Sequence, residues 1–300
     1  MATVLVTGGT GLIGKNLCKL LQNKGYKVFI LSRNKNNTNK NSFYWNIDSE
    51  YIEPDAIKNA DYIIHLAGTN ISEKRWTKKQ KDLLINSRVK TANLLFKNVQ
   101  KFNPNLKGFI AASGIGYYGT ITSDKIFNEN DKAGADFLSK VCVLWENSSQ
   151  QFNSLNIKTV IFRTGVVLSE KGGALAKISK PVKMGFGSPI GSGNQYMPWI
   201  HINDLCEMYV NAIEKIEMKG IYNAVAPEHI TNKNLTKTIA KKLNKRIWLP
   251  NTPSFVLKLL FGEMASILLE GSRASSEKIT DTGFKFEFKT LNDALNNLLN

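Results

Sequence analysis

The segment Thr7-Gly8-Gly9-Thr10-Gly11-Leu12-Ile13-Gly14 spaces its glycines in a way that serves one kind of chemistry, the holding of a phosphate. Gly9, Gly11 and Gly14 satisfy G-x-G-x-x-G, and Gly8, Gly11 and Gly14 satisfy the related G-x-x-G-x-x-G. Such a loop needs a tight turn, a backbone without Cβ where pyrophosphate approaches, and close packing of the following helix on the preceding strand. A purely structural glycine turn is the competing reading. The context favours a dinucleotide, because the loop ends an apolar run and opens an amphipathic helix pattern. Gly8, Thr10, Gly11, Leu12, Ile13 and Gly14 are therefore candidate cofactor contacts.

The second strand tells which dinucleotide to expect. An NAD site places Asp or Glu about 20 residues beyond the loop, on the ribose hydroxyls. Here the strand ends Leu31-Ser32-Arg33-Asn34, with a guanidinium where the acid would be. That suits a 2'-phosphate through charge-assisted, bidentate bonds, so NADP is the expected cofactor. A solvated arginine in a basic loop is the alternative.

These residues need a scaffold, and the chain alternates short apolar runs with amphipathic stretches. The runs are TVLVTG, KVFILS, DYIIHLAG, GFIAAS and KTVIFRTG, and between them apolar residues recur near i, i+3, i+4, i+7. This is how a parallel sheet with crossover helices is written. The expected fold is α/β: a Rossmann-type doubly wound parallel sheet with a smaller, discontinuous C-terminal α/β lobe. Residues 1–169 and 202–221 are assigned to the dinucleotide domain, and 170–201 with 222–300 to the second lobe. A polar loop is expected over 35–41. Residues 172–199 are glycine-rich with little helical periodicity and read as loops near a ligand. A helix resumes from His201 to Ile213, followed by a short strand at 221–224, and a strand-like element is expected at Phe284 to Phe288.

Composition sets limits on partners. The 300 residues carry 40 Lys and Arg against 24 Asp and Glu, a formal charge of +16. Only six of the basic residues are arginine, and along the sequence the lysines are spread among asparagines without forming a stripe. Nucleic-acid binding is not expected on that pattern. Cys18, Cys142 and Cys206 form no C-x-x-C pair and read as buried thiols of a reducing compartment. No signal peptide pattern opens the chain, and the most apolar late segment, Phe255 to Leu269, is interrupted by Lys258, Gly262 and Glu263. A cytoplasmic protein with no membrane partner is expected. No metal site is expected, since His229 lacks a metal-type partner at i+3 to i+5 and His65 sits on a buried strand.

Several motifs in order carry a resemblance. TGGTGLIG, HLAG, SRVKTANLL, ASGIGYYG, WIHINDL, DFLSKVCVLWE, RTGVVLSEKGGAL, GSGNQYMPWIHINDL and LLFGEMASILLEGSR together resemble the extended short-chain dehydrogenase/reductase superfamily. More narrowly they resemble its atypical, cell-division-inhibitor-like epimerase family, whose members share a C-terminal domain of unknown function. The likeness is nearly full length. It implies an NADP-dependent oxidoreductase or epimerase-like enzyme acting on a small molecule. A homodimer is also implied, since superfamily relatives often pair through sheet-flanking helices. Ser32 and Arg33 match positions that recognise the adenosine phosphate. Leu66, Ala67 and Gly68 match a turn that passes the cofactor, Arg88 a helix arginine at the NADP site, and Val166 a position after a late strand.

Catalysis departs from the pattern. Reductases of the superfamily use a Tyr-x-x-x-Lys pair with a nearby Ser or Thr. Ser113 is placed for the hydroxyl, but the pair reads Asp136-Phe137-Leu138-Ser139-Lys140. Asp has a reference pKa near 4 and is not a simple substitute for a proton-donating phenol. Lys140 keeps its spacing, with pairing to Glu146 or exposure to solvent as its bland alternatives. Tyr117 and Tyr118 are the nearest phenols to Ser113 in sequence, and Tyr117 is the candidate proton carrier. A non-catalytic, redox-sensing NADP-binding protein is the alternative function. In WIHIND, Asp204 is expected to cap a helix start and His201 to bond nearby backbone.

Overall fold

The computed structural model describes residues 1–35 and 40–299. Twelve strands are defined: β1 (Thr3–Thr7), β2 (Lys27–Ser32), β3 (Ser42–Asn46), β4 (Tyr51–Ile52), β5 (Tyr62–His65), β6 (Gly108–Gly114), β7 (Ile126–Phe127), β8 (Lys158–Thr164), β9 (Val166–Ser169), β10 (Trp199–His201), β11 (Gly220–Ala224) and β12 (Arg273–Ala274). Eight form one sheet in the order β11-β8-β6-β5-β1-β2-β3-β4. All pairings in it are parallel except the antiparallel edge β3–β4. The chain winds outward from β1 in one direction through β2 and β3, then returns to wind the other way through β5, β6, β8 and β11. The reversal leaves a crevice between the ends of β1 and β5, the place where such sheets bind ligands.

Both faces of the sheet are covered, which is why its strands read as unbroken apolar runs. Val4 and Val6 face one core with Leu17 and Leu21 of helix α1 (Leu12–Asn23). Leu5 points to the other face, packing with Phe109, Leu94 and Leu95. On this second side lie α2 (Pro54–Lys58) and α3 (Lys78–Phe102), the latter capped by Thr77, whose hydroxyl accepts from Gln80 N at 3.2 Å. The remaining principal helices are α4 (Phe137–Gln150), α5 (Gly173–Lys183), α6 (Ile202–Glu214), α7 (Asn232–Lys242) and α8 (Ser254–Phe261). A third core joins Leu175, Val182, Trp199, Leu235, Ile239 and Leu295, so segments from 168–199 and from 226–299 pack together. Two parallel strand pairs stand apart from the main sheet: β9 with β10, and β7 with β12. Among the described residues no helix is long and apolar enough to cross a membrane.

Three local expectations are corrected. The stretch 172–199 is not all loop: Gly173–Lys183 is helical, with Pro181 in its last turn at the expense of one backbone hydrogen bond. Phe284 to Phe288 is not a strand, although Phe284, Phe286 and Phe288 are all buried in the expected alternation. The N–H groups of Glu287 and Phe288 donate to the Asp204 carboxylate at 2.8 and 3.1 Å rather than to a neighbouring strand. The same contact occupies Asp204, so α6 is capped by His201, whose Nδ1 accepts from Asn203 N at 3.1 Å. Of the polar loop expected over 35–41, residues 36–39 lie outside the described residues.

Candidate functional site

At the end of β1 the chain turns through Gly8, whose φ of +71° belongs to the left-handed region open to glycine. A Cβ there would lie 2.9 Å from the Leu66 carbonyl carbon, so the loop ends of β1 and β5 touch across the crevice. The turn closes when Gly11 N donates to Gly8 O at 3.0 Å. At Gly14 a Cβ would stand 2.2 Å from Gly8 O, which explains why the first turn of α1 needs a third glycine. Gly11 is the N-cap; it has no side-chain cap, and no acid stands in the first turn. The positive end of α1 therefore faces the crevice with no carboxylate in its own first turn, and Thr10 and Gly11 are exposed beside it. This arrangement fits a pyrophosphate: the glycine backbone is open where a Cβ would intrude, and the helix end supplies the donors.

The β5 end is fixed by a hydrogen-bonded relay. Ala67 N donates to Thr7 Oγ1 at 3.1 Å, which directs the Thr7 hydroxyl proton to His65 Nδ1 at 2.8 Å. Thr91 Oγ1 donates to the Ser87 and Arg88 carbonyls and accepts from His65 Nε2 at 3.2 Å. The network assigns the neutral Nε2–H tautomer. Burial, reinforced by the Arg88 charge, brings the His65 pKa down to about 4, so the ring is a neutral strut. It holds Leu66, Ala67 and Gly68 along the crevice.

Arg88 lies under that turn. Its guanidinium donates to Leu84 O at 3.0 Å and Thr69 O at 3.1 Å, stacks on Trp145 at 4.7 Å, and keeps Gly68 free of a Cβ that would meet Cζ at 3.1 Å. Among the described residues its buried Nε has no partner. Ser32 Oγ accepts from Asn34 N at 3.1 Å at the β2 end, and the Arg33 side chain stands exposed next to it. Among the described residues Arg33 has no ion-pair partner. Val166 is held by its N–H donating to Pro198 O at 2.7 Å, where β9 meets β10.

The β6 and β8 ends are built differently. Ser113 Oγ donates to Glu146 Oε1 at 2.7 Å. Arg163 clasps the same carboxylate with both Nε and Nη2 at 2.9 Å, and its Nη1 donates to Tyr118 OH at 3.0 Å. Tyr118 donates in turn to Asn223 Oδ1 at 2.7 Å, and Asn223 N donates to Glu129 Oε1 at 2.7 Å. Ser113, Glu146, Arg163, Tyr118 and Asn223 are all buried. Burial works against the Arg163 charge, but the paired Glu146 carboxylate outweighs it and pushes the pKa up. Burial raises Tyr118 to about 12, so that phenol keeps its proton. Tyr117 lies at the rim: its ring stacks on the Arg163 guanidinium at 3.3 Å, and among the described residues its hydroxyl has no partner.

Asp136 is committed elsewhere. As N-cap of α4 its carboxylate accepts from Ser139 N at 2.9 Å, and from Thr120 N and Oγ1 at 2.6 and 2.8 Å. Partial burial opposes ionisation, but these bonds outweigh it and hold the pKa below the usual carboxylate range. Lys140 does not pair with Glu146, whose oxygens belong to Arg163 and Ser113. It lies exposed on a groove of about 420 Å³ lined by Trp76, Lys78, Lys81 and Phe137, away from the Ser113 network.

Sequence reasoning named Ser113, Tyr117 and Lys140, met Glu146 only as a pairing partner for Lys140, and passed over Arg163 and Asn223. A signal was present. Arg163 follows the apolar run Val160-Ile161-Phe162 and Glu146 follows Val143-Leu144-Trp145, and charges so placed need each other.

Comparison with known proteins places this geometry. Residues 4–224 match the NAD dependent epimerase/dehydratase family, and residues 252–298 match a domain of unknown function, DUF1731. The chain is 36% identical over 298 residues to the epimerase family protein YfhF of Bacillus subtilis, covering 99% of this chain and 97% of that one. It is 32% identical to the human epimerase family protein SDR39U1, covering 99% of each. The crystal structure of human SDR39U1 (isoform 2) with NADPH superposes with a TM-score of 0.89, covering 99% of this chain and 98% of that one. A nucleoside-diphosphate sugar epimerase from Corynebacterium glutamicum gives 0.81 at 28% identity, with 99% of this chain aligned to 58% of that one. With its glycine loop at the reversal of the sheet, the chain belongs to the NAD dependent epimerase/dehydratase family.

Proposed function

We propose that this protein binds NADP(H) along the crevice and acts as an oxidoreductase or epimerase-like enzyme on a carbonyl or alcohol carbon of a small molecule. The observation that carries the reading is the uncompensated start of α1 behind Gly8, Gly11 and Gly14, with the unpaired Arg33 at the neighbouring strand end. Gly8, Thr10, Gly11, Leu12, Ile13 and Gly14 would hold the pyrophosphate. Ser32 and Arg33 would hold the 2'-phosphate, and Leu66, Ala67, Gly68 and Val166 would line the path, with Arg88 bracing the turn from below. The NADPH named with human SDR39U1 supports the choice of the phosphorylated cofactor.

When bound, the nicotinamide supplies or accepts the hydride. The protein's part is to hold the oxygen of the substrate and manage its proton. Tyr117 is assigned that proton, because it alone among Ser113, Tyr117 and Tyr118 has an uncommitted hydroxyl. The Arg163 guanidinium under its ring holds that phenol at the rim. Ser113, bound to Glu146, is a positioning residue for the β6 end. Lys140 is given no step. The test is NADPH consumption over a panel of aldehydes, ketones and nucleotide sugars. Tyr117→Phe is expected to lower kcat at least ~100-fold with NADPH affinity unchanged; undiminished turnover would remove Tyr117 from the role.

A second reading is a non-catalytic NADP-binding sensor. It is favoured by the commitment of Asp136 to Thr120 and Ser139, which leaves the usual phenol position filled by a cap. No turnover across the panel, with a partner captured only in the presence of NADPH, would select it.

A further inference from the structure

The positive charge that looks scattered along the sequence is gathered by the fold. Residues 171–203 and 229–262 contain eleven Lys or Arg and no Asp or Glu, against a net charge of +16 for the whole chain. Helices α5 and α7 come from these two segments and pack against each other through the third core. Their C-terminal ends lie together, because Trp248 Nε1 donates to Gly185 O at 2.9 Å and Gly187 sits against Ile247. Lys180 and Lys183 stand in the last turn of α5, Lys241 and Lys242 in the last turn of α7, and Lys245 and Arg246 follow at once.

Large apolar side chains project at the same end. Trp248 is 67% exposed, Phe186 59% and Met184 62%. A few residues on, α8 carries Phe255, Leu259 and Leu260, each more than half exposed, with Lys258 among them. Isolated exposed apolar residues need no explanation, but Trp248, Phe186 and Met184 standing together beside Lys180, Lys183, Lys245 and Arg246 do.

We propose that this end of the second lobe is a docking surface for an anionic lipid bilayer. Trp and Phe are the side chains that settle at the headgroup boundary, and lysine stems lie along apolar surface while their ammonium groups reach the phosphates. A second copy of the chain fits poorly, since two such faces would oppose cation to cation. A protein partner would have to present an acidic surface shaped to this particular set of side chains. A leaflet of uniform negative charge makes no such demand. The expectation of no membrane partner, drawn from the linear sequence, is the one this surface argues against.

The chain provides its own reporter. Trp45, Trp76, Trp145 and Trp199 are buried, leaving Trp248 as the exposed tryptophan of the five. The experiment mixes the full-length protein with vesicles of phosphatidylcholine alone or with about 30% phosphatidylserine. It reads Trp fluorescence and co-sedimentation. The expected result is a blue shift and pelleting with the anionic vesicles only, both weakened by salt. The double variant Lys180→Glu/Lys183→Glu should bind about 30-fold or more weakly. Trp248→Phe should abolish the shift, and Trp248→Ala should reduce pelleting while NADPH affinity and the circular dichroism spectrum stay unchanged. Equal behaviour with both vesicle types, or binding indifferent to the Lys180/Lys183 reversal, would overturn the proposal. So would a lipid-independent dimer broken by Trp248→Ala without any vesicle binding, which would assign the face to a second copy.

Discussion

The two ends of the crevice solve opposite problems. At β1 the site is made of backbone: glycines keep side chains away, and the helix start points its donors outward with nothing of the protein's own to satisfy them. At β6, β8 and β11 the site is made of side chains that satisfy one another, from Ser113 through Glu146, Arg163 and Tyr118 to Asn223. The first region is open because it awaits an anion. The second is closed because a buried ion pair with an unmet member would cost several kcal/mol. The contrast separates an open surface from a supporting frame, with Tyr117, the hydroxyl of the proposed mechanism, at the rim of the frame.

Substitutions that invade each region should therefore fail differently. The largest effect is expected at Gly14: Gly14→Val puts carbon atoms into Gly8 O, and titration should show NADPH binding weakened beyond detection. Next comes Glu146→Ala, which strands the buried Arg163 and should cost about 3–5 kcal/mol in denaturant unfolding. If that variant loses NADPH affinity without losing stability, the division between frame and binding surface is wrong.

Acid should act at two buried imidazoles outside the frame, one of which, His65, is the strut behind the cradle. His65 and His201 are both held near pKa 4 by burial, below an unfolded value of about 6.5. A depressed folded pKa means that the unfolded state takes up the proton first, so stability is full above pH ~6.5 and falls as pH drops toward 4. For His65 the loss is about 3 kcal/mol, and unfolding curves between pH 7 and 4 should show a slope that His65→Asn reduces. The smallest effect is expected at Asp136→Ala, which removes a helix cap and should cost about 1–2 kcal/mol.

What could be read from sequence follows the same division. Glycine spacing betrays a backbone site because each glycine is there for local geometry, and Gly8, Gly11 and Gly14 sit in adjacent turns. The frame is illegible in that way, because its members come from β6, the turn after it, α4, β8 and β11 and meet only after the sheet is assembled. Asp136 was visible as a departure from a pattern, but its role needed Thr120, 16 residues away, to be placed beside it. The Phe284–Phe288 alternation announced burial correctly and strand pairing wrongly, since a carboxylate, Asp204, took the backbone donors that a neighbouring strand would have used. Charge was the least legible property of all: its clustering depends on how α5 and α7 pack.

The central claim is a crevice built for a phosphorylated dinucleotide, and paired titrations of NADPH and NADH test it most directly. With Arg33 exposed at the β2 end and without an ion-pair partner among the described residues, NADPH is expected to bind at least ~10-fold more tightly than NADH. Arg33→Ala should erase that difference while leaving NADH affinity and thermal stability unchanged. Equal affinities in the unaltered protein, or a preference that survives Arg33→Ala, would contradict the account.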